Sequence, residues 1–291
     1  MVGESNATKI KLFDSGEQQN FLNVMLVSRD SEKSLYQTFR MFKSLEDAID
    51  CSFFYVFVEN GSQDHTRDLM EQFLHSREGI LCTPENDFIM DYLERPERIA
   101  HARNTGIKFL KTNAKWTLVV DNDVYFNTES LVELFNQNPT ANGYAKVCSF
   151  GEQAALNEQT QNLLMTGHYY DTWAFTIKAD DKDFRSYWPH CIFEDCPFCK
   201  HLNHHKKIKK QGVIEVGSAF GGFAIIDTMG MLTEGVRYFS AHVNNSSILE
   251  QRITCEHVPF CINLSEKTGK KIVIATNSRV FRHEGEVLEM R

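Results

Sequence analysis

Short, continuously apolar segments alternate with amphipathic segments in the N-terminal half of the chain, and this alternation constrains the fold most. Strands that are apolar on both faces, with helices between them, are typical of a parallel sheet covered by helices on both sides. The expected class is therefore α/β, with a mainly parallel central sheet. The predicted elements are a strand over Phe21–Val27, a helix over Ser31–Leu45, a strand over Ser52–Val58, a helix over about Asp64–Leu74, a helix over Arg95–Lys111 and a strand over Trp116–Val120.

The C-terminal half, from about residue 141, has a less regular pattern. Ser149 to Tyr169 is predicted to be a long loop or a helix-containing excursion. Val213 to Asp227 contains three glycines among apolar residues, which indicates strands around a close-approach turn. Ser247 to Leu264 is predicted to be a helix, and Lys271 to Thr276 the last strand.

Composition and charge exclude several classes of protein. The net charge of −8 disfavours a general nucleic-acid binder, which needs a basic surface, so no nucleic-acid partner is expected. The longest apolar runs are far shorter than the roughly 20 residues of a membrane span, and the first residues lack the pattern of a secretory signal. We therefore expect a soluble, cytoplasmic protein whose 8 Cys are reduced.

Polar residues follow each of the three strongest predicted strands. Ser28 to Asp30 follow the first strand, Glu59 to Thr66 the second, and Asp121 to Asp123 the third. In open α/β sheets, ligands bind beyond the carboxyl ends of the strands. Three polar and acidic strand ends together predict a site for a nucleotide and a cation at this edge of the sheet.

The triplet Asp121-Asn122-Asp123 is the strongest local signal. Two carboxylates separated by one residue at a strand end can both face a hard divalent cation, Mn²⁺ or Mg²⁺. A cation bridging them to a diphosphate would neutralise the charge on a leaving nucleotide. Asp123 is the stronger candidate for direct metal ligation, whereas Asp121 either shares the metal or reaches the ribose or a metal-bound water.

Several motifs in their order along the chain resemble one family. E-N-G-S-Q-D-H-T, from Glu59, resembles the D-D-G-S-x-D-x-T segment of GT-A glycosyltransferases, and D-N-D falls where that family carries its metal-binding D-x-D. E-R-I-A-H-A-R-N, from Glu97, resembles the E-R-I-A-x-x-R-N helix of the fungal capsule-associated mannosyltransferase-like proteins. Y-D-T-W-A from Tyr170, G-G-F-A from Gly221 and C-E-H-V from Cys255 are also similar to that branch and to its relatives in large DNA viruses.

The resemblance covers about residues 21 to 283 and implies a GT-A fold, with a Rossmann-like central sheet and an irregular acceptor-binding C-terminal half. We expect a single domain over residues 1–291, with a donor half at about 20–140 and an acceptor half at about 141–291. Fungal members are usually membrane-anchored, and this chain shows no anchor. The viral relatives imply a virus-encoded enzyme acting in a host cytosol.

The resemblance, together with the polar strand ends, also implies roles for individual residues. Glu59 is expected to accept hydrogen bonds from the nucleobase or ribose, with a solvated turn residue as the alternative. Arg98 is expected in a surface or interdomain pair. The complete expected set is Ser28, Arg29, Glu59, Arg103, Asn104, Asp121 and Asn122 for the donor, Asp123, Asp121 and His283 for the metal, and Asp171, Trp173, Gly221 and Gly222 for the acceptor.

Glu256 is the candidate general base. It lies near the start of an apolar helical segment, where the helix dipole favours an acidic residue, and its position matches the acidic residue that deprotonates the acceptor in inverting GT-A enzymes. Helix capping is the alternative role, and Asp171 and Asp195 are the next candidates for the base. Tyr170, Trp173 and Trp188 have aromatic faces suited to stacking on a sugar, with core packing as the alternative.

The segment from Cys191 to His205 contains cysteines and histidines at short spacings, which are the raw material of a structural zinc site. Its C-x2-C occurs once, and the basic run Lys206 to Lys210 follows it. A mobile basic loop over the active site is therefore the favoured interpretation, with zinc binding as the alternative.

The leading hypothesis is a metal-dependent transfer of a sugar from a nucleoside diphosphate sugar to a hydroxyl of a glycan, by an inverting displacement. UDP-sugars, UDP-xylose among them, are favoured as donors, and a retaining GDP-mannose-dependent mannosyltransferase is the alternative. A nucleotidyltransferase would carry a Gly-rich basic loop after the first strand, which is missing here. A catalytically silent glycan-binding protein is disfavoured by the intact Asp121, Asp123 and Glu256.

Overall fold

The computed structural model describes residues 8–13, 21–85, 93–157, 162–171, 173–176, 212–240, 242–244, 251–253 and 255–283. Within these ranges, no helix combines the length and apolar character needed to cross a bilayer. The elements are β1 (Phe21–Ser28), α1 (Glu32–Ala48), β2 (Ser52–Glu59), α2 (Thr66–Leu74), β3 (Gly79–Cys82), α3 (Arg95–Ile107), β4 (Trp116–Val120), β5 (Val124–Tyr125), α4 (Thr128–Phe135), β6 (Tyr144–Asn157), β7 (Asn162–Tyr169), β8 (Val213–Val216), β9 (Phe223–Asp227), α5 (Thr228–Met231), β10 (His242–Asn244), β11 (Gln251–Ile253), α6 (His257–Thr268) and β12 (Lys271–His283).

One large mixed sheet organises the fold. Its strand order is β3-β2-β1-β4-β9-β6-β12-β5, with β7 added to β6 and β8 added to β12. The first four strands in this order are mutually parallel. Strand β9 then runs antiparallel between β4 and β6, and β12 pairs parallel with β6. Parallel pairing is therefore concentrated in the N-terminal half, where the predicted apolar strands lie, and the antiparallel strands of the C-terminal half make the whole sheet mixed.

The side chains of the central strands alternate between two hydrophobic cores, one on each face of the sheet. In β2, Phe53, Tyr55 and Phe57 pack into one core with helices α1, α2 and α4. Val56 and Val58 point the other way, into the core that α3 and α6 cover. Because successive side chains in a strand face opposite sides, a strand that is apolar throughout needs helices on both faces. The prediction of a sheet covered on both sides is confirmed.

Helix α3 lies directly against β1 and β2, and a glycine permits this close approach. A Cβ atom on Gly106 would lie 2.9 Å from Cγ2 of Val58 and 3.0 Å from the sulfur of Met25. The helix begins with a capping box, in which the backbone N–H of Glu94 donates to Oε2 of Glu97 at 2.9 Å. This packing carries the side chains of α3 to the carboxyl ends of the parallel strands.

Two secondary-structure predictions for the C-terminal half are wrong. The segment Ser149 to Tyr169 contains most of β6 and all of β7, which pair as antiparallel strands. The predicted helix from Ser247 to Leu264 begins only at His257, and Gln251–Ile253 is a short strand. In both segments, polar residues break the apolar pattern, and pairing with a distant strand decides the structure.

Candidate active site

A pocket with a volume of about 740 Å³ lies beyond the carboxyl ends of β1 and β4. One wall is formed by the loops after β1, β2 and β4, which contribute Val27 to Ser31, Asn60, and Asp121 to Asp123. Helix α3, the segment after β7, the start of α6 and the end of β12 contribute the other bordering side chains. All three predicted polar strand ends therefore meet at one site.

Hydrogen bonds between loops hold the first wall in place. Nδ2 of Asn122 donates to Oγ of Ser28 at 3.1 Å, which joins the ends of β4 and β1. Asp30 has a φ of 48°, and its Oδ1 accepts a hydrogen bond from the backbone N–H of Gln63 at 2.7 Å. Ser28, Arg29 and Asn122, all predicted donor contacts, border the pocket on these cross-linked loops.

Arg103 reaches the inner wall of the pocket from α3 and contacts two carboxylates. The residue is 3% exposed. Its Nη2 lies 3.0 Å from Oδ1 of Asp121, and its Nε lies 3.3 Å from Oε1 of Glu256. Burial raises the pKa of Asp121 to about 7; the Arg103 cation opposes this rise, and the negative charges of Asp123, Asp171 and Glu256 add to it. Arg103 is thus the cation that bridges the carboxylates of Asp121 and Glu256.

Asp123 is paired with an arginine from the last strand. Nε of Arg282 donates to Oδ2 of Asp123 at 2.9 Å, and the guanidinium carbon lies 5.4 Å from the ring centroid of Tyr170. Arg282 is next in sequence to the predicted ligand His283. The backbone of His283 ends β12, but its side chain is outside the described part of the structure, so its metal role stays a prediction.

The two aspartates fit a cation that is shared with a diphosphate. No group of three or more His, Cys, Asp or Glu side chains among the described residues is placed to hold a metal ion. Asp121 and Asp123 each engage an arginine through one carboxylate oxygen, which leaves the second oxygen of each for another ligand. Mg²⁺ is commonly held by one or two carboxylates together with substrate phosphates and water. The donor set therefore suits a metal that binds together with a nucleoside diphosphate.

Glu256 is the N-cap residue of α6, so its predicted place at a helix start is confirmed. Its side chain makes no capping hydrogen bond, which removes capping as the reason for its position. Oε1 faces Arg103, and Oε2 accepts a hydrogen bond from Sγ of Cys255 at 3.5 Å. The residue is 4% exposed and borders the pocket. Glu256 is thus a buried carboxylate at the edge of the pocket, held by contacts with Arg103 and Cys255.

Tyr170, Asp171 and Trp173 also border the pocket, and they were predicted to contact the acceptor. Oδ2 of Asp171 accepts a hydrogen bond from the backbone N–H of Gly221 at 2.9 Å. Burial raises the pKa of Asp171, and the hydrogen bond from Gly221 opposes the rise. The structure therefore brings this predicted acceptor group to the same pocket as the predicted donor group.

Gly221 and Gly222 are not among the described residues that line the pocket, although both were predicted to contact the acceptor. Their φ angles are 68° and 76°, which favour glycine. A Cβ on Gly221 would lie 2.4 Å from the backbone oxygen of Ser149, and one on Gly222 would lie 2.4 Å from the hydroxyl of Tyr170. The oxygen of Gly222 accepts from the backbone N–H of Asp121 at 2.8 Å. These glycines position site residues through the backbone.

Glu59 and Asn104, predicted to contact the donor, do not border the pocket among the described residues. Oε1 of Glu59 accepts a hydrogen bond from the backbone N–H of Ser62 at 2.6 Å, and the next residue, Asn60, borders the pocket instead. Nδ2 of Asn104 donates to the backbone oxygen of Tyr238 at 2.7 Å, and Oδ1 accepts from its N–H at 2.8 Å. Both side chains bind the main chain, and their predicted contacts with the donor stay predictions.

Sequence reasoning missed several basic residues of the site. Arg95 and Arg98 border the pocket, whereas Arg98 was expected in a surface or interdomain pair and Arg95 was given no role. Their spacing of three places them on the same side of α3, a signal available in the sequence. Lys146 is fully buried in β6, and a lysine inside an apolar strand is a comparable signal.

Several other predictions concern residues outside the described ranges. They are the stacking role of Trp188, the alternative base Asp195, the zinc or loop alternatives for Cys191–His205, and the basic run Lys206–Lys210.

Solved structures with a similar fold include S. aureus TarS, with a TM-score of 0.51 and 13% identity over 90% of this chain and 36% of that chain. S. aureus TarS 1-349 in complex with UDP-GlcNAc has a TM-score of 0.50 and 13% identity over 92% of this chain and 60% of that one. A mycobacterial protein has a TM-score of 0.51 and 12% identity over 94% and 70%. The chain thus spans 36% to 60% of the length of the TarS structures. No curated protein matches it in sequence.

The structural likeness defines the class: this is the fold of the GT-A glycosyltransferases, which confirms the predicted fold. A family model described as Cryptococcal mannosyltransferase 1 matches residues 25–257, which is more than half of the chain. The chain therefore belongs to the Cryptococcal mannosyltransferase 1 family. The predicted resemblance to capsule-associated mannosyltransferases and the predicted enzyme class, glycosyltransferase, are confirmed at the level of the family.

Proposed function

We propose that this protein transfers a sugar from a nucleoside diphosphate sugar to a hydroxyl group of a glycan acceptor. One observation carries the proposal. A single pocket contains the Asp121 and Asp123 carboxylates on one wall and the buried carboxylate of Glu256 on another. The two aspartates suit a metal-bound diphosphate, and Glu256 suits deprotonation of an attacking hydroxyl.

The donor we favour is a UDP-sugar, with UDP-xylose as the specific candidate. The similarity to S. aureus TarS 1-349, whose structure is a complex with UDP-GlcNAc, supports a nucleotide sugar as the donor. Ser28, Arg29 and Asn122 border the pocket on the wall next to the two aspartates. We assign the nucleotide to this wall and the acceptor to the side formed by Tyr170 and Trp173.

The proposed cofactor is Mn²⁺ or Mg²⁺, held by Asp123 with Asp121 and with oxygens of the donor diphosphate. When bound, the cation supplies positive charge that stabilises the departing nucleoside diphosphate. The protein adds its own positive charge, because Arg95, Arg98 and Arg282 border the same pocket. These side chains are proposed to bind and orient the diphosphate.

The proposed reaction is a single displacement. The acceptor oxygen forms a bond to the anomeric carbon while the bond from that carbon to the diphosphate oxygen breaks. Glu256 accepts the acceptor proton, and the bonding electrons leave with the nucleoside diphosphate. Arg103 holds Oε1 of Glu256 at 3.3 Å, so the orientation of the carboxylate is fixed before the acceptor arrives. The anomeric configuration is inverted.

A retaining transfer from GDP-mannose is the second candidate, because the chain belongs to a family named for a mannosyltransferase. The two candidates differ in donor and in product. Proton NMR of the first-formed product distinguishes inversion from retention, since the coupling constant at the anomeric hydrogen reports the configuration. A catalytically silent glycan-binding protein is the third alternative, and it would turn over no donor.

The test is a donor panel with purified protein. Release of UDP or GDP is measured from UDP-xylose, UDP-glucose, UDP-GlcNAc and GDP-mannose, with Mn²⁺, Mg²⁺ or EDTA. The proposal predicts turnover of a UDP-sugar that requires the cation. Turnover of GDP-mannose alone would support the retaining alternative. No turnover of any donor, together with no nucleotide binding, would support the silent protein.

A further inference from the structure

A buried lysine lies behind the proposed base and takes no part in the reaction described above. Lys146, on β6, is 0% exposed. Its Nζ lies 3.3 Å from Nδ1 of His257 and 3.4 Å from Sγ of Cys261. The rings of Phe220 and Phe260 have centroids 5.3 and 5.7 Å from the same nitrogen. A charged group is costly to bury, so its contact with the histidine next to Glu256 calls for a physical explanation.

The contact with Lys146 determines which nitrogen of His257 carries a hydrogen. An ammonium group donates hydrogen bonds and cannot accept them, so Nδ1 must be the acceptor. Burial holds the pKa of His257 well below its usual value of 6.5, and the positive charges of Lys146 and Arg103 lower it further. The ring is therefore neutral. A neutral imidazole with an acceptor at Nδ1 carries its hydrogen on Nε2.

Nε2 of His257 faces the proposed base. It lies 3.7 Å from Oε1 of Glu256 and has no hydrogen-bond partner within the part of the chain that the structure describes. A shift of roughly 0.5 Å would bring this pair into the range of an N–H···O hydrogen bond. Oε1 of Glu256 already accepts a hydrogen bond from Nε of Arg103 at 3.3 Å, whereas Oε2 accepts one from the thiol of Cys255, a weak donor, at 3.5 Å.

We propose that Lys146 and His257 are positioning residues for Glu256. Lys146 fixes the tautomer of His257, and His257 then presents its Nε2–H to Oε1 of Glu256. Oε1 is held by two donors, and Oε2 is left to take the proton of the acceptor hydroxyl. The catalytic consequence rests on the proposed function of Glu256, whereas the tautomer is a property of the protein without substrate.

The tautomer is tested by NMR of the full chain with ¹⁵N-labelled histidine. The His257 signals are identified by their loss in His257→Gln. The expected ring has a protonated Nε2 and an unprotonated Nδ1 at neutral pH. In Lys146→Met, which removes the donor, the Nδ1 resonance is expected to lose the shift that the hydrogen bond from Lys146 causes. A hydrogen on Nδ1 in the wild-type protein, or an Nδ1 resonance that is unchanged in Lys146→Met, would overturn the proposal.

The consequence for catalysis is tested with two variants in which an amide side chain replaces the imidazole ring of His257. The amide of His257→Gln reaches the position of Nε2, and that of His257→Asn reaches the position of Nδ1. We expect His257→Asn and Lys146→Met to lower kcat by about 10-fold to 100-fold, the effect of losing one hydrogen bond to a charged group. His257→Gln should restore most of this loss, and KM for the donor should stay near the wild-type value.

Equal activity of the two amide variants, or a change in KM with unchanged kcat, would contradict the positioning role. Binding of UDP and GDP, measured by calorimetry, checks that each variant is folded. Should the wild-type protein turn over no nucleotide sugar, the proposed function fails, while the NMR measurement still decides the tautomer. If a variant does not fold, the NMR spectrum of the wild-type protein still tests the proposal, because a hydrogen on Nδ1 of His257 would overturn it.

Discussion

Nε of Arg103 lies 3.3 Å from Oε1 of Glu256, although the two residues are 153 positions apart in the chain. Both residues are almost completely buried, at 3% and 4% exposure. The same guanidinium binds Asp121 at 3.0 Å. One cation from α3 therefore connects the acidic triplet after β4 with the carboxylate at the start of α6. The two carboxylates thus lie on either side of one guanidinium group.

Replacing Arg103 with alanine is expected to destabilise the protein strongly. The change leaves Glu256 buried without its cation, and breaking a buried pair in this way costs about 3–5 kcal/mol. The free energy of unfolding, measured by urea denaturation, checks the prediction. Arg98→Ala is the matched control on the same helix.

The side chain of Arg98 makes no hydrogen bond or ion pair to any described residue, yet it borders the pocket. Its replacement should change the free energy of unfolding by less than about 0.5 kcal/mol and should weaken the binding of UDP. Equal loss of stability in the two variants would show that the Arg103 contacts are not what stabilises this region.

Asp123→Asn is expected to reduce the contribution of Mn²⁺ to nucleotide binding. An amide replaces one of the two carboxylates that fit the cation, so the Kd for UDP in Mn²⁺ should rise by roughly tenfold or more. In EDTA, the variant and the wild-type protein should bind alike. Asp30→Asn removes the same charge from the pocket edge, where the carboxylate binds the backbone of Gln63. If both variants respond equally to Mn²⁺, Asp123 is not a metal ligand.

The lowered pKa of His257 predicts that the folded protein loses stability in acid. Its pKa is well below 6.5 in the folded protein and returns to about 6.5 on unfolding. Below pH 6.5 the unfolded state therefore binds more protons, and the free energy of unfolding falls as the pH falls, by at most about 1.4 kcal/mol per pH unit. The stability that the neutral His257 ring contributes is present in full above pH 6.5. Urea denaturation from pH 5 to 8 should show a shallower acid slope in His257→Gln, and parallel curves would refute the prediction.

Gly222→Ala is expected to destabilise the protein more than Gly143→Ala. Both glycines have positive φ, 76° and 66°, so both substitutions carry a backbone cost of about 1–2 kcal/mol. A Cβ on Gly143 meets open space, whereas one on Gly222 would lie 2.4 Å from the hydroxyl of Tyr170 and 2.5 Å from Cγ1 of Val124. Overpacking should add about 1–3 kcal/mol. Equal changes in thermal unfolding would contradict the close packing.

The N-terminal half could be predicted from the sequence because its signals are local. The strands β1, β2 and β4 are apolar throughout, and the helices between them have clear amphipathic patterns. Asp121 and Asp123 could be placed because strand ends of a parallel sheet meet at one edge. Glu256 was selected by its resemblance to the acidic residue of inverting GT-A enzymes, because the predicted helix began ten residues before the observed start at His257.

The remaining site residues depend on contacts between distant segments. Asn104 lies on α3, the helix that borders the pocket, yet both the nitrogen and the oxygen of its side-chain amide bind the backbone of Tyr238, 134 positions away. The ion pair between Arg282 and Asp123 could not be predicted from the sequence, because it depends on the pairing of β12 with β5 next to Asp123. Strand β7 was missed because its stability comes from pairing with β6, and strand propensity depends on such context.

The most direct test of the central claim compares the wild-type protein with Glu256→Gln. Release of nucleoside diphosphate from UDP-xylose, UDP-glucose, UDP-GlcNAc and GDP-mannose is measured with water as the acceptor, alongside the Kd for UDP. The base assignment predicts that kcat falls by about 100-fold or more, while UDP binding in Mn²⁺ is unchanged. A Glu256→Gln variant that binds UDP normally and keeps most of the wild-type kcat would contradict the assignment of Glu256 as the base.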